Sequence, residues 1–153
     1  GVDLPVSSAL LGDGPIPDVP LEQIGKSIPP TYVPGRNLVF LSLAAGFAAS
    51  VGAKHIFTGF NQQDYSGYPD CREEFVSAML QAIRIGVDGL ANAEIHTPLI
   101  HSTKADIVRT AQRLGVPFHL TYSCYSGKPL PCGTCDSCKL RAKGFQEAGV
   151  EDA

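Results

Sequence analysis

The sequence predicts an α/β protein with an open parallel sheet and a cysteine-rich knuckle near its carboxyl end. Strand-like and helix-like segments alternate between residues 34 and 120, and four of the five cysteines lie between residues 124 and 138. Such alternation favours parallel strands, because a parallel neighbour needs a crossover connection that is usually a helix. We expect a connector over residues 1–33, a partial α/β domain over residues 34–120, and a knuckle with a short terminal helix over residues 121–153.

The connector is rich in proline. Seven of the twelve prolines lie within the first 34 residues, together with Gly12 and Gly14. Proline fixes φ and lacks a backbone N–H, so long helices are excluded here. The segment is therefore either an extended connector or a partly disordered linker.

The first helix and strand follow this connector. Residues 37–51 are apolar at nearly every position, which predicts a helix buried on several sides and ending at Gly52. Residues 55–58 are expected to form a short buried strand, and residues 59–69 a polar loop.

A second helix is predicted after this loop. Asp70 is a suitable N-cap, Glu73 stands three residues later as in a capping box, and Gly86 ends the pattern. The apolar residues that recur at helical spacing and predict its buried face are Phe75, Val76, Met79, Leu80 and Ile83.

A second strand and a third helix continue the alternation. Residues 93–97 form the strand candidate, and Pro98 closes it. The helix is expected to begin near Ser102 or Thr103 and to end at Gly115. Its predicted buried residues are Ile107, Val108, Ala111 and Leu114.

The cysteines predict a metal site. Cys124, Cys132, Cys135 and Cys138 have the spacing C-x7-C-x2-C-x2-C, and a last short helix is expected from Leu140. A C-x2-C turn directs two sulfurs at one point about 2.3 Å away, the usual zinc–sulfur distance. We interpret the set as a closed four-thiolate Zn²⁺ site.

The sequence favours two other uses of these cysteines less. A disulfide pair suits an oxidising compartment, whereas five cysteines without a signal peptide indicate a reducing one. An iron–sulfur cluster would continue as x3-C-P, but Cys138 is followed by Lys139 and no further cysteine. Zinc remains the preferred reading, and Cys71 is expected to be a free thiol.

The composition excludes several classes of function. The chain is 44% hydrophobic with a net charge of −3, and no apolar run approaches membrane-spanning length. We expect a cytoplasmic protein without a membrane or nucleic-acid partner, since nucleic-acid binding usually requires a basic patch. Only 18% of residues are charged, so part of the surface is expected to pack against a partner or another part of the same protein.

Candidate binding residues lie where parallel strands end, the usual ligand site in open α/β sheets. Arg36 and Asn37 precede an apolar helix, whose N-terminus attracts anions. The alternative is that Arg36 pairs with a local carboxylate and Asn37 is an N-cap. Lys104, in the first turn of its helix, also indicates an anionic ligand, or else a solvated side chain.

The loop from Asp64 to Asp70 suits a planar heterocycle. A ring could stack on Tyr65 or Tyr68, while a carboxylate accepts two N–H groups from a guanine-like edge. The alternative is that Asp70 only caps its helix. His96 and His101 flank the second strand end and are each expected to be structural rather than catalytic.

Several segments together resemble the 7-cyano-7-deazaguanine synthase family of queuosine precursor biosynthesis. They are Val-Pro-Gly-Arg-Asn at residues 33–37, Ser-Gly-Tyr-Pro-Asp-Cys-Arg at 66–72, Thr-Pro-Leu at 97–99, Lys-Ala at 104–105, and the cysteine cluster. The resemblance covers residues 30–144 with order and spacing kept.

The resemblance implies a Rossmann-like sheet of the pyrophosphate-loop ATPase type with an added structural zinc knuckle. It implies a ligase that converts 7-carboxy-7-deazaguanine, ammonia and ATP, with Mg²⁺, to the nitrile through adenylated intermediates, in a homodimer. On this basis Lys104 is expected to be catalytic. The expected substrate-binding residues are Arg36, Asn37, Asp64, Tyr68 and Asp70.

One family feature does not occur in this sequence. The Ser-Gly-Gly-x-Asp-Ser segment that holds the ATP pyrophosphate is not present, so we expect the chain to be a fragment of a longer enzyme. The alternative is a zinc-containing module that binds a purine analogue or a partner without turnover. A relative that modifies tRNA is a third reading, which the negative charge disfavours.

Overall fold

The computed structural model describes residues 16, 18–29, 31–61 and 68–152. The helices and strands are, in chain order, α1 (Arg36–Val51), β1 (His55–Phe57), α2 (Glu73–Gly86), β2 (Glu94–His96), α3 (Lys104–Arg113) and α4 (Asp136–Ala148). Short 3-10 turns span Leu21–Gln23, Pro69–Cys71 and Phe118–Leu120. Within the described ranges, no helix is long and apolar enough to cross a membrane.

The two strands form a parallel pair. His55 lies opposite Glu94 and Phe57 opposite His96, with α2 as the connection between the strands. The backbone N–H of Thr58 continues the ladder by donating to the His96 carbonyl at 2.9 Å. The predicted α/β arrangement with a parallel sheet is therefore confirmed for the described residues.

The main core covers one face of this sheet. Successive strand residues point to opposite faces, and Ile56 is buried while its neighbours His55 and Phe57 are exposed. Helices α1 and α2 both pack on the Ile56 face. The buried residues of this core are Leu41, Ala45, Ala48, Ile56, Ile83, Leu90 and Ala93.

Helix α1 is buried on one face only, so the prediction of burial on several sides is wrong for the described residues. The buried positions are Leu41, Ala45 and Ala48, whereas Phe47 is 69% exposed. The sheet and α2 pack against this one stripe of the helix. The apolar residues of α1 that stay exposed are Leu38, Phe40, Leu43, Phe47 and Val51.

Helix α2 does not use Asp70 as its cap, which corrects the prediction. Arg72 occupies the N-cap position, and its side chain makes no capping hydrogen bond to the start of the helix. Pro69 starts a 3-10 turn that separates Asp70 from the helix, and the Asp70 side chain is directed elsewhere. The predicted apolar face is confirmed, since Val76 and Ile83 are buried and Phe75, Met79 and Leu80 pack against the core.

Helix α3 begins as predicted and ends before Leu114. Thr103 is its N-cap, and Asp106 completes a capping box. The Asp106 backbone N–H donates to the Thr103 side chain, and the Thr103 backbone N–H donates to the Asp106 side chain. These contacts with Thr103 lower the pKa of the Asp106 carboxyl. Leu114 is 73% exposed, so its predicted burial is wrong. It lies past the last turn of the helix, where the chain turns through Gly115.

Helix α4 starts earlier than predicted, at Asp136 rather than Leu140. Its N-cap is Cys135, so the cysteine segment itself opens the helix. Helix α4 packs closely on α3: a Cβ at Gly144 would lie 2.7 Å from the Cβ of Lys104. Glycine is therefore needed for this helix contact. Phe145 adds an edge-to-face contact with Phe118 at 4.9 Å between ring centres.

Candidate functional site

A cavity of about 610 Å³ opens at the carboxyl ends of the two strands. Residues 59–61 after β1 and Leu99 after β2 line one side of it. The start of α1, the 3-10 turn at Pro69–Cys71, and helices α3 and α4 complete its walls. This is the position where open parallel sheets usually bind ligands.

The start of α1 is held by Asp70. Gly35 occupies the N-cap position with φ 74° and has no side chain to offer. The Asp70 carboxylate, only 7% exposed, instead accepts a hydrogen bond from the Asn37 backbone N–H at 3.3 Å. Asn37 Nδ2 donates in return to the Asp70 carbonyl at 3.1 Å. Asp70 therefore acts at the N-terminus of α1, and the helix dipole adds to its stabilisation there.

Cys71 is a protonated thiol in this wall. Burial, followed by the charge of Asp70, raises its pKa to about 11. Asn37 Nδ2 donates to its sulfur at 3.3 Å. A thiol with this pKa carries almost no thiolate at neutral pH and is a poor nucleophile. Cys71 is a free cysteine and stands outside the four-cysteine cluster, as expected.

Lys104 is positioned by a buried asparagine that the sequence analysis missed. Asn61 is 8% exposed, and its Nδ2 donates to the carbonyls of Leu99, at 3.0 Å, and Ser102. Its Oδ1 accepts from Lys104 Nζ at 3.4 Å. One amide thus ties the two strand-end loops to the lysine. Its location in the loop that follows β1 was the available signal, but an asparagine in a polar loop is too common to single out.

The predicted site residues that are described converge on this cavity. Its lining includes Arg36, Asn37, Tyr68, Asp70 and Lys104. The Tyr68 hydroxyl lies 3.0 Å from Thr31 Oγ1. The predicted residue Asp64 lies outside the described residues.

A second residue missed by the sequence analysis is Arg141 of α4. It lines the cavity, and its guanidinium lies over the Phe145 ring at 5.0 Å. Its Nε donates to Asp152 at 2.7 Å, and its Nη1 donates to Thr121 Oγ1 at 2.8 Å. Through these contacts Arg141 links Thr121, which precedes the cysteine cluster, and Asp152 to helix α4.

His96 and His101 do not belong to the cavity wall among the described residues. His101 Nε2 contacts Glu73 Oε1 at 2.8 Å on the surface. His96 lies on the exposed face of the sheet, beside His55 at 3.0 Å.

The four predicted metal-ligand cysteines come together. The sulfurs of Cys124, Cys132, Cys135 and Cys138 all lie within 4.8 Å of one another, and no disulfide joins them. Four sulfurs at about 2.3 Å from a zinc ion would be about 3.8 Å apart. The cluster is compatible with that geometry.

Backbone donors favour thiolates at two of these positions. The Cys132 N–H donates to Cys124 Sγ at 3.3 Å, and the Cys135 N–H donates to Cys132 Sγ at 3.4 Å. The first of these bonds, with help from Ser126, lowers the pKa of Cys124 to about 5. The second lowers the pKa of Cys132. Burial raises the pKa of Cys138 to about 12, so a cation is needed to bring this thiol into a four-thiolate set.

Comparison with known proteins gives a consistent result. The family model described as "Queuosine biosynthesis protein QueC" matches residues 3–149. The chain is 53% identical over 147 residues to the 7-cyano-7-deazaguanine synthase of Thermoplasma acidophilum, covering 95% of this chain and 62% of that protein.

Two further relatives carry the same name. The 7-cyano-7-deazaguanine synthase of Nautilia profundicola is 51% identical over 135 residues, which are 88% of this chain and 61% of that protein. That of Geobacter metallireducens is 55% identical over 140 residues, which are 88% of this chain and 59% of that protein. The chain therefore spans about three fifths of the length of these relatives.

Proposed function

The chain belongs to the QueC family of queuosine biosynthesis proteins, and from this membership we propose that it carries the substrate-binding part of a 7-cyano-7-deazaguanine synthase. The proposed reaction is the ligation of ammonia to 7-carboxy-7-deazaguanine, driven by ATP with Mg²⁺, to give the nitrile. The observation that carries the proposal is the single cavity that brings Arg36, Asn37, Tyr68, Asp70 and Lys104 together at the strand ends.

The base is proposed to bind against Asp70. An ionised carboxylate offers about four acceptor positions, and the Asn37 N–H uses one of them. The remaining positions suit the adjacent N1–H and amino group of a deazaguanine. Tyr68 lines the same cavity and offers an aromatic face for the ring. Asp64 is proposed to assist from the same loop, on the strength of the family resemblance alone.

The substrate carboxylate is proposed to lie toward Arg36 and Lys104. Activation by ATP transfers AMP to this carboxylate and releases pyrophosphate. Ammonia then displaces AMP to form the amide, and a second adenylation and loss of AMP gives the nitrile. Negative charge develops at phosphate and carboxyl oxygens in each transfer, where a positioned cation is most effective. Asn61 holds Lys104 Nζ at 3.4 Å and so supports its orientation.

The four cysteines are proposed to hold a structural Zn²⁺. Their all-sulfur donor set and mutual proximity fit a closed tetrahedral site. The ion would fix the start of α4, since Cys135 is the N-cap and Cys138 lies in the first turn. Helix α4 in turn lines the cavity through Leu140, Arg141 and Phe145. The division into a connector, an α/β part and a knuckle remains part of this proposal.

A homodimer and a cytoplasmic location complete the proposal. The exposed apolar face of α1 supports a second copy as partner. The five free thiols support a reducing compartment. Sedimentation of the purified protein is the measurement for the dimer.

The activity is tested on the protein that the complete reading frame encodes. With 7-carboxy-7-deazaguanine, ammonia and ATP, we expect nitrile and AMP to form. Lys104→Gln should lower kcat/KM by ~10²–10³, as removal of one transition-state donor commonly does. Lys143→Gln is the matched control, because Lys143 is exposed and pairs with Glu147 at 3.8 Å. Tight substrate binding without nitrile formation would instead favour a non-catalytic binding module.

A further inference from the structure

A second group of metal-ligating side chains lies outside the cavity, on the open face of the sheet. His55 Nδ1 is 3.0 Å from His96 Nε2. A carboxylate oxygen of Glu94, Oε2, lies 3.6 Å from His55 Nδ1 and 3.3 Å from His96 Nε2. These three atoms therefore form a compact triangle.

The strands themselves create this arrangement. Parallel pairing sets His55 opposite Glu94, and the period of two places His96 on the same face as Glu94. The Phe57 ring stacks on the His96 ring with centres 4.4 Å apart and planes 16° from parallel. Phe57 therefore restricts the orientation of one imidazole, and the ladder restricts the positions of all three residues.

Hydrogen bonding alone explains only part of the triangle. Each neutral imidazole carries one N–H and one lone pair, so His55 Nδ1 cannot satisfy both His96 and Glu94 with a single proton. The edges of 3.0, 3.3 and 3.6 Å lie around the ligand–ligand separation of ~3.3 Å expected for a tetrahedral ion with bonds of ~2.0–2.1 Å. The same atoms therefore match one face of a zinc coordination shell.

We propose that His55, Glu94 and His96 bind a divalent transition-metal ion, with Zn²⁺ as the best match. Two imidazole nitrogens and one carboxylate oxygen are donors that Zn²⁺ accepts readily. The three side chains are 59%, 54% and 34% exposed, so solvent reaches the ion and a fourth position stays open to water or another ligand. This site is separate from the cysteine cluster in both place and donor chemistry.

Zinc binding to the full chain tests this proposal. The cysteine cluster is first loaded with zinc, and the protein is then titrated with further zinc in a calorimeter. Elemental analysis after equilibrium dialysis gives the number of bound ions per chain. We expect one ion per chain beyond that held by the cysteines. His96→Ala and Glu94→Gln should each abolish this additional ion, while the ion held by the cysteines remains.

His101→Ala is the matched control. His101 is also an exposed histidine that contacts a carboxylate, Glu73, at 2.8 Å, but it belongs to no group of three ligands among the described residues. This variant should keep the additional ion. Circular dichroism of all variants checks that the fold is retained.

Cobalt gives a second readout. Co²⁺ bound by nitrogen and oxygen lacks the intense thiolate charge-transfer absorption of Co²⁺ bound by cysteine, so the two ions are distinguished in one spectrum. Absence of a thiolate-free cobalt component in the parent protein would overturn the proposal. So would an additional ion that persists in both His96→Ala and Glu94→Gln, or one that His101→Ala removes equally.

Discussion

Asp70 joins two parts of the candidate site through one buried carboxylate. It accepts the Asn37 N–H at 3.3 Å, in the place of the side-chain cap that Gly35 cannot provide. It also lines the cavity. Because a carboxylate has more acceptor positions than one N–H uses, capping and ligand binding are compatible at this residue.

Asp70→Asn separates these two roles. Asn caps helices as well as Asp does, so α1 should remain and thermal unfolding should change little. Binding of 7-carboxy-7-deazaguanine should weaken by about tenfold or more, because a hydrogen bond to a charged group contributes ~1.5–3 kcal/mol and 1.4 kcal/mol is a factor of ten. Calorimetry measures the affinity. An unchanged affinity would reduce Asp70 to a cap.

Cys71 makes a prediction about pH at the same wall. Its pKa of about 11, raised first by burial and second by Asp70, predicts slow alkylation that keeps accelerating from about pH 8 to pH 10, whereas an ordinary thiol levels off above about pH 8.5. Asp70→Asn removes the negative charge and should accelerate the reaction at each pH. Mass spectrometry of the Cys71 peptide from zinc-loaded protein follows it. A rate that levels near pH 8.5 would contradict the assigned burial.

At the scale of elements, the contact between α3 and α4 depends on the absence of one side chain. Gly144 lies where a Cβ would be 2.7 Å from Lys104 Cβ and 3.2 Å from its carbonyl carbon. If α3 and α4 moved apart to make room for a side chain here, Lys104 would move as well, and Lys104 lines the cavity. The packing of two helices thus determines the position of a candidate catalytic side chain.

Gly144→Ala should destabilise the protein by ~1–3 kcal/mol through overpacking, partly offset by the ~1 kcal/mol better helix propensity of alanine. Gly46→Ala in α1 is the matched control, because nothing lies within 4 Å of its Cβ. That change should stabilise by ~0.5–1 kcal/mol. Urea unfolding of both variants gives the comparison. Equal effects would show that the close approach is not maintained in solution.

At the scale of the whole molecule, the cysteine cluster and the cavity are mechanically linked. Cys135 and Cys138 open α4, and Arg141 connects that helix to Thr121 and Asp152. The cavity wall formed by α4 therefore depends on order at the cluster. The core under the sheet is a separate set of residues.

Metal removal should act unevenly on these two regions. Treatment with a chelator and a reductant should increase amide exchange in α4 and weaken substrate binding, because a structural zinc supplies folding free energy directly. Exchange in β1 and β2 should change less. Zinc should restore α4 and magnesium should not. If amide exchange in α4 is the same before and after chelation, or if elemental analysis finds iron with sulfide, a structural zinc is contradicted.

The sequence alone determined much of the local structure. The strand–helix alternation, Gly52 and Gly115 as helix ends, and the α2 apolar face follow from patterns in which each residue's own conformational and burial preference decides. The cysteine spacing likewise identified the residues whose sulfurs converge. Membership in the QueC family agrees with the resemblance based on these motifs.

The tertiary structure alone decided which element each side chain serves. By its spacing Asp70 fits a cap for α2, yet it caps α1. Asp70 lies in a 3-10 turn, and its carboxylate accepts the backbone N–H of Asn37, which is 33 residues earlier in the chain. Asn61 and Arg141 gain their roles from partners distant in sequence. Which face of α1 is buried, and which side chains bond between elements, depend on contacts between parts of the chain that are distant in sequence. The spacing of residues within one helix or strand does not predict such contacts.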